Sequence, residues 1–297
     1  MNDIGPISTK HCLICKGGRK NACLHWHNDP DTNDIWVYCV GKCKRGYSIY
    51  EYCAKAGLSL SEFLKNDFEF NEAANNEVQK MNWPKSFIPL YDPRAKVGVD
   101  YIKSRGLDPD EGMYYDTYRN GIVFPYYYDQ VFVGAQVRLI EPWVDEDGDE
   151  HKIDTIPGTR LGLLTFNYDQ SPFRTNIKAV IVCEGAFNVF SIQQAFNHVH
   201  GGILTNPFKA IALSGSGVSQ HHIEVLQDLK DQGFRVICAG DSDEAGLHML
   251  AKLKQSGVIT HYVLTEDNEL DWNNILQRDG KTGLAKFFLK RVKSVQS

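Results

Sequence analysis

Glu184, Asp241 and Asp243 are the residues whose types and spacing are best suited to chemistry. Glu184 closes the apolar run 180–183 and is followed by Gly185. Asp241 and Asp243 close a second run, 235–240, in a D-x-D pattern that leads into Glu244, Ala245 and Gly246. A short apolar run bounded by glycine and followed by a helical pattern reads as a buried strand entering a helix. In parallel α/β sheets the crevice lies beyond the carboxyl ends of the strands, so carboxylates from two such ends can face each other. Three carboxylates brought together repel unless a cation neutralises them. Oxygen-only ligands select Mg²⁺ or Mn²⁺ rather than zinc. Such an ion activates a hydroxyl and offsets charge on a transferring phosphoryl group. The competing reading is that the two aspartates cap the next helix, as a single Asp often does. The D-x-D after one strand with E-G after another favours the metal.

A second constellation lies near the start. Cys12 and Cys15 form a C-x2-C pair, and Cys39 and Cys43 form a C-x3-C pair after a loop. Two short-spaced pairs flanked by Gly17, Gly18, Gly41 and Gly46 suit a zinc ribbon, with four thiolates converging on one structural Zn²⁺. Cys23 and His25 rank second as ligands. A closed four-cysteine site has no open position for catalysis, so its role is to present a surface. A ribbon this small takes folding free energy from its metal. Lys42, Lys44, Arg45, Trp26, Trp36 and His27 could bind single-stranded nucleic acid by phosphate contact and stacking. Trp26 and Trp36 suit the ribbon's own small core equally well.

The elements that must position these groups follow from pattern. Residues 178–265 alternate short apolar runs with helical stretches, which indicates a parallel sheet covered by helices on both faces. Residues 121–140 read as two strands joined by a turn at 128–130, rich in Val, Ile, Phe and Tyr. An amphipathic helix is expected over roughly 49–64. The polar stretch 65–83 reads as a linker. The expected division is a zinc-binding domain at 1–64, a linker at 65–83, a subdomain at 84–177 and an α/β domain at 178–297.

Composition sets few further limits. The chain has 297 residues, 42% hydrophobic and 23% charged, with a formal net charge of −5. No apolar run approaches the roughly 18 residues of a membrane helix, and the first ten residues lack a signal-peptide core, so a cytoplasmic location is expected. Five of the eight cysteines fall in the first 43 residues, which favours metal over disulfides. Residues 10–47 carry seven Lys or Arg against three Asp, a local basic footprint on an acidic chain.

At this point the residues resemble a family. E-G followed by D-x-D-x-A-G is similar to the TOPRIM domain of bacterial and phage-type primases, topoisomerases and some nucleases. The stretches 101–112 and 119–138 resemble the front half of a primase RNA-polymerase core, 151–167 the region after it, and 36–64 the second half of a primase zinc-binding domain. The resemblances occur in the family's order. They imply an α+β multidomain chain: a zinc ribbon, a small basic α/β subdomain, then a TOPRIM α/β domain with a parallel sheet. They imply Arg119, Arg138, Lys152 and Arg160 as contacts to nucleotide phosphate and template, and Asp271 as a further Mg²⁺ or Mn²⁺ ligand. Asn188 stands where the family usually has Asp, and Asn273 where a second acid is possible. The implied activity is synthesis of RNA primers from ribonucleoside triphosphates on single-stranded DNA. The stretch 280–283 (GKTG) lacks the glycine of a nucleotide-binding P-loop, since position 275 is Ile, so a replicative helicase is expected to be a separate partner. The rivals are a TOPRIM nuclease using the same carboxylates, and a catalytically degenerate single-stranded-DNA-binding protein. The primase-like segment 101–140 argues against the first, and the retained acids against the second.

Overall fold

The computed structural model describes residues 2–3, 14, 24–28, 35–39, 43, 45–56, 78–145, 148, 150–168, 174–214, 217–266 and 271–295. They fall into two compact units, Met1–Glu77 and Val78–Ser297.

The first unit holds an antiparallel sheet of β1 (Asn2–Asp3), β2 (Leu24–Asn28), β3 (Ile35–Cys39) and β4 (Arg45–Ser48), paired in that order. Leu24 lies opposite Cys39, and Trp26 opposite Val37. Helix α1 (Ile49–Ala56) follows directly. Its buried Tyr52 meets Tyr47 edge-on at 6.0 Å. Cys39 is buried at the end of β3 and Cys43 half-buried before β4. Cys12 and Cys15, the other expected zinc ligands, lie outside the described residues, as do Cys23, Lys42, Lys44 and the remainder of the expected helix, 57–64.

In the second unit, β5 (Phe87–Pro89), β6 (Tyr114–Asp116), β7 (Gly121–Tyr128), β8 (Val131–Val144) and β9 (Glu150–Thr155) form an antiparallel sheet in sequence order. Helix α2 (Lys96–Ser104) lies between β5 and β6. The β7–β8 turn is two residues, Asp129 and Gln130, with φ of 47° and 64°. Two successive left-handed residues match the twist of a tight hairpin. Ile122, Phe124 and Tyr126 point to a core shared with the second sheet, while Val123, Ala135 and Val137 line the outer face. Met81 and Trp83, within the stretch expected as a linker, pack on that outer face, while Val78 packs against the shared core. The Met81 N–H donates to the Phe132 carbonyl at 2.9 Å, and the Trp83 ring packs 4.7 Å from Tyr114 and 4.9 Å from Phe132. The polar composition around Met81 and Trp83 masked two apolar side chains that the sheet needs as cover.

The second sheet contains β10 (Ala179–Cys183), β11 (Phe208–Ala212), β12 (Arg235–Gly240), β13 (His261–Leu264) and β14 (Lys293–Ser294), ordered β11-β10-β12-β13-β14. The first four are parallel, as the pattern predicts; β14 adds antiparallel at the edge. Helices α3 (Ala186–Val199), α4 (Gln220–Asp231), α5 (Glu244–Gln255) and α6 (Trp272–Arg291) connect or flank them. All five β10 residues are buried, Ile181 toward α3 and α6, and Val180 and Val182 toward α4 and α5. Each such aliphatic side chain contributes roughly 1.5–3 kcal/mol by leaving water. The chain leaves β10 for β11 on one side and later returns to β12 on the other. The switch point, where a crevice must open, therefore falls between β10 and β12. Among the described residues no helix is long and apolar enough to cross a membrane.

Candidate active site

Glu184 follows β10 and Asp241 follows β12, so both carboxylates stand at the switch point. Glu184 Oε1 accepts the Asp241 backbone N–H at 2.9 Å. This close approach depends on Gly246 in the first turn of α5. A Cβ there would lie 2.1 Å from the Asp241 carbonyl oxygen and 2.5 Å from Glu184 Oε1. The glycine of D-x-D-x-A-G is thus a steric requirement of the acidic centre. The intervening Ser242 is tied to the end of β13: its N–H donates to Thr265 Oγ1 at 2.9 Å, and its hydroxyl to the Thr265 carbonyl. Sequence reasoning missed Thr265, whose part is set by a neighbouring strand.

Asp243 is the N-cap of α5, accepting the Gly246 N–H at 2.8 Å, and Asp271 is the N-cap of α6, accepting the Asn274 N–H at 2.6 Å. Each of these two carboxylates therefore caps the helix that follows it. Among the described residues no three His, Cys, Asp or Glu side chains converge as a ready-made ligand set.

The charges still crowd one another. Burial, then Glu184 and Asp271, push the Asp241 carboxyl up to about 8. Burial, with Asp243 and Asp271 adding to it, raises that of Glu184. The donor set is all oxygen and crowded with like charge, which fits a hard divalent cation and not zinc. Asn188, in the first turn of α3, directs its Nδ2 at Asp241 Oδ1 and Oδ2, 3.4 and 3.2 Å away. Asn273 is fully buried, donating to the Arg105 carbonyl and to Ser191 Oγ, both at 3.0 Å.

The basic candidates divide. Arg119 is engaged: Nη1 donates to the buried Asp116 at 2.9 Å and Nε to Asp154 at 2.6 Å. Breaking a pair that includes a buried carboxylate is costly, so Arg119 braces β6 against β9. Lys152 pairs with Glu150 at 2.7 Å, both about half exposed, a contact worth little and easily exchanged. Arg160 precedes the short turn Leu161–Leu163, and burial lowers its pKa. Arg138 lies opposite Ile122, on the sheet face turned to the shared core, and its Nε is buried with no hydrogen-bond partner. Arg105, just after α2, was not singled out from sequence. Its Nη2 lies 3.9 Å from Asp271 Oδ2, and its Nε is likewise buried and unpartnered. Buried guanidinium N–H groups normally find an acceptor, so these two Nε atoms stand out among the described residues.

Residues 179–264 match the Toprim domain family. No curated protein sequence matches the chain. Among solved structures it is similar to a DnaG primase catalytic domain bound to ssDNA, at 16% identity and a TM-score of 0.49 over 70% of this chain and 75% of that one. It is similar to a DNA primase domain from Pseudomonas aeruginosa at 16% identity and a TM-score of 0.44 over 79% and 72%. It is similar also to the RNA polymerase domain of Mycobacterium tuberculosis primase DnaG at 20% identity and a TM-score of 0.44 over 80% and 76%.

Proposed function

We propose that the chain is a DNA primase, joining ribonucleoside triphosphates into short RNA primers on a single-stranded DNA template. The observation that carries this reading is the position of Glu184 and Asp241 at adjacent parallel strand ends, where the Asp241 backbone N–H donates to Glu184 Oε1 at 2.9 Å, within the stretch that matches the Toprim family. The antiparallel sheet packed on that domain, with the helix α2 inserted in it, favours polymerisation over cleavage, because Arg138 on β8 and Arg105 after α2 supply the arginines that nucleotide and template would need.

Glu184, Asp241 and Asp243, with help from Asp271, would hold Mg²⁺ or Mn²⁺. When bound, such an ion lowers the pKa of an attacking 3′-hydroxyl and offsets charge at the α-phosphate. Arg105 and Arg138 present fork-shaped donors suited to phosphate oxygens, with Lys152 and Arg160 as further cations. Arg119 keeps the sheet that carries Arg138 and Lys152 in register. Cys12, Cys15, Cys39 and Cys43 would hold a structural Zn²⁺, and the basic N-terminal unit would contact the template.

The test is incorporation of labelled ribonucleotides on single-stranded DNA with Mg²⁺ or Mn²⁺. Wild type should yield short RNA, while Glu184→Gln and Asp241→Asn should fall to background with template binding nearly intact. Template cleavage in place of synthesis would move the assignment to a nuclease. Full synthesis by either variant would overturn the site.

A further inference from the structure

The end of the chain runs against its overall charge. Positions 278–297 hold six Lys or Arg against one Asp, while the whole chain carries −5. Three of those cations are already paired: Arg278 with Asp279 and Glu266, Arg291 with Glu266, and Lys281 with Asp108. Lys286, Lys290 and Lys293 are exposed and have no carboxylate partner among the described residues. Lys286 and Lys290 stand at i and i+4 of α6, on one face of the helix. Lys293 follows in β14, opposite Tyr262. The exposed Lys254, in the last turn of α5, holds its Nζ 3.7 Å from the centre of that Tyr262 ring, which brings a fourth cation to the same sheet edge.

Like charges one helical turn apart repel, and no described carboxylate relieves Lys286 and Lys290. Such a ridge suits a polyanion, whose phosphates meet the cations and release their own counterions. A lipid surface fits less well. A helix that lies in a membrane interface buries its apolar face there, whereas Leu284, Ala285 and Phe288 of α6 are buried in the protein core. The helix also joins the ridge to the acidic centre: its N-cap Asp271 adds its charge to that around Asp241, and its last turn carries the lysines. We infer that, granted the nucleic-acid chemistry proposed above, Lys286, Lys290, Lys293 and Lys254 form a second contact for the phosphate backbone of the template strand, outside the crevice that holds Glu184 and Asp241. Phosphate contacts of this kind hold a strand in position without reading its bases.

The experiment measures binding of labelled oligothymidylate to the full chain by fluorescence anisotropy over a series of salt concentrations. Wild type is compared with a variant carrying Lys286→Gln, Lys290→Gln and Lys293→Gln, its fold checked by circular dichroism. Removing three phosphate contacts should weaken binding and make the slope of log affinity against log salt shallower by about 2. Each single substitution should take about 0.7 from the slope, so the result does not depend on the triple variant folding. An unchanged affinity and slope in the folded variants would overturn the inference, and so would a wild type that does not bind the oligonucleotide. Tight binding to phosphatidylserine vesicles that the oligonucleotide fails to displace would overturn it in favour of a membrane. Primer synthesis is scored separately. A shallower slope in the variants with no RNA from wild type on any template sinks the primase reading and leaves the ridge standing; RNA from wild type with an unaltered slope in the variants sinks the ridge alone.

Discussion

Gly246 and Asp241 show how single positions control the acidic centre. Gly246→Ala places a methyl group where the Asp241 carbonyl and the Glu184 carboxylate already lie. Backbone there must move, at a cost of about 1–3 kcal/mol. Urea unfolding should show that loss, and primer synthesis should fall with it because the two carboxylates are pushed apart. Asp241 adds a pH signature. Its folded carboxyl is raised from 3.8 to about 8, so the folded chain binds more protons here than the unfolded chain across that interval. Stability then falls as pH rises from about 4 to about 8 when no divalent cation is present. Below that window the penalty is absent, and a bound cation removes it above. The melting temperature of metal-free wild type should drop over this range relative to Asp241→Asn, and Mn²⁺ should raise it more at pH 8 than at pH 6. A parallel pH profile in the two proteins would show that Asp241 is not the group.

Among the elements, α6 is the one whose continuity is only apparent. Gly280 within it has φ 69° and ψ 177°, which breaks the helix into two segments. That region of backbone space belongs almost wholly to glycine. An added Cβ would meet nothing within 4 Å, so a substitution acts through the backbone alone. Gly280→Ala should cost about 1–3 kcal/mol in denaturant unfolding. A neutral result would mean that α6 straightens without consequence for Trp272 and Phe288, which are fully buried on either side of the break. The β7–β8 hairpin turns on two left-handed residues without glycine; Asp129 tolerates that conformation because its side chain is short and polar, and Gln130 adopts it without that advantage.

For the molecule as a whole, the important fact is that the two sheets of the second unit share one core. Ile122, Phe124, Tyr126 and Val133 from the antiparallel sheet pack in the same cluster as Ile181, Phe190, Trp272 and Phe288. The expected boundary at 177/178 therefore separates two topologies but not two cores. Residues 78–297 should unfold in one cooperative transition, with calorimetric and van't Hoff enthalpies that agree. Phe124→Ala, which lies on the antiparallel sheet, should cost about 3–5 kcal/mol and lower that single transition. Two separate transitions, with only one displaced by Phe124→Ala, would contradict a shared core.

Much of this was legible along the chain. Apolar runs of fixed length ending in Glu184 or Asp241 determined the parallel strands and put the acids at their carboxyl ends, because strand burial and chain direction are local properties. The hairpin at 129–130 was equally visible. What only the tertiary structure decided were relations across the fold. The pairing of β10 with β12 set Glu184 against the Asp241 N–H, and showed why position 246 is glycine. Packing of α2 near the start of α6 brought in Arg105, which no spacing announced. Arg119, basic and suitably placed in sequence, proved to be braced by Asp116 and Asp154, residues three and 35 positions away. The sequence determines which groups exist and which way each strand delivers them; only folding determines which charges are already paired, because pairing depends on distances between segments that the chain order does not contain.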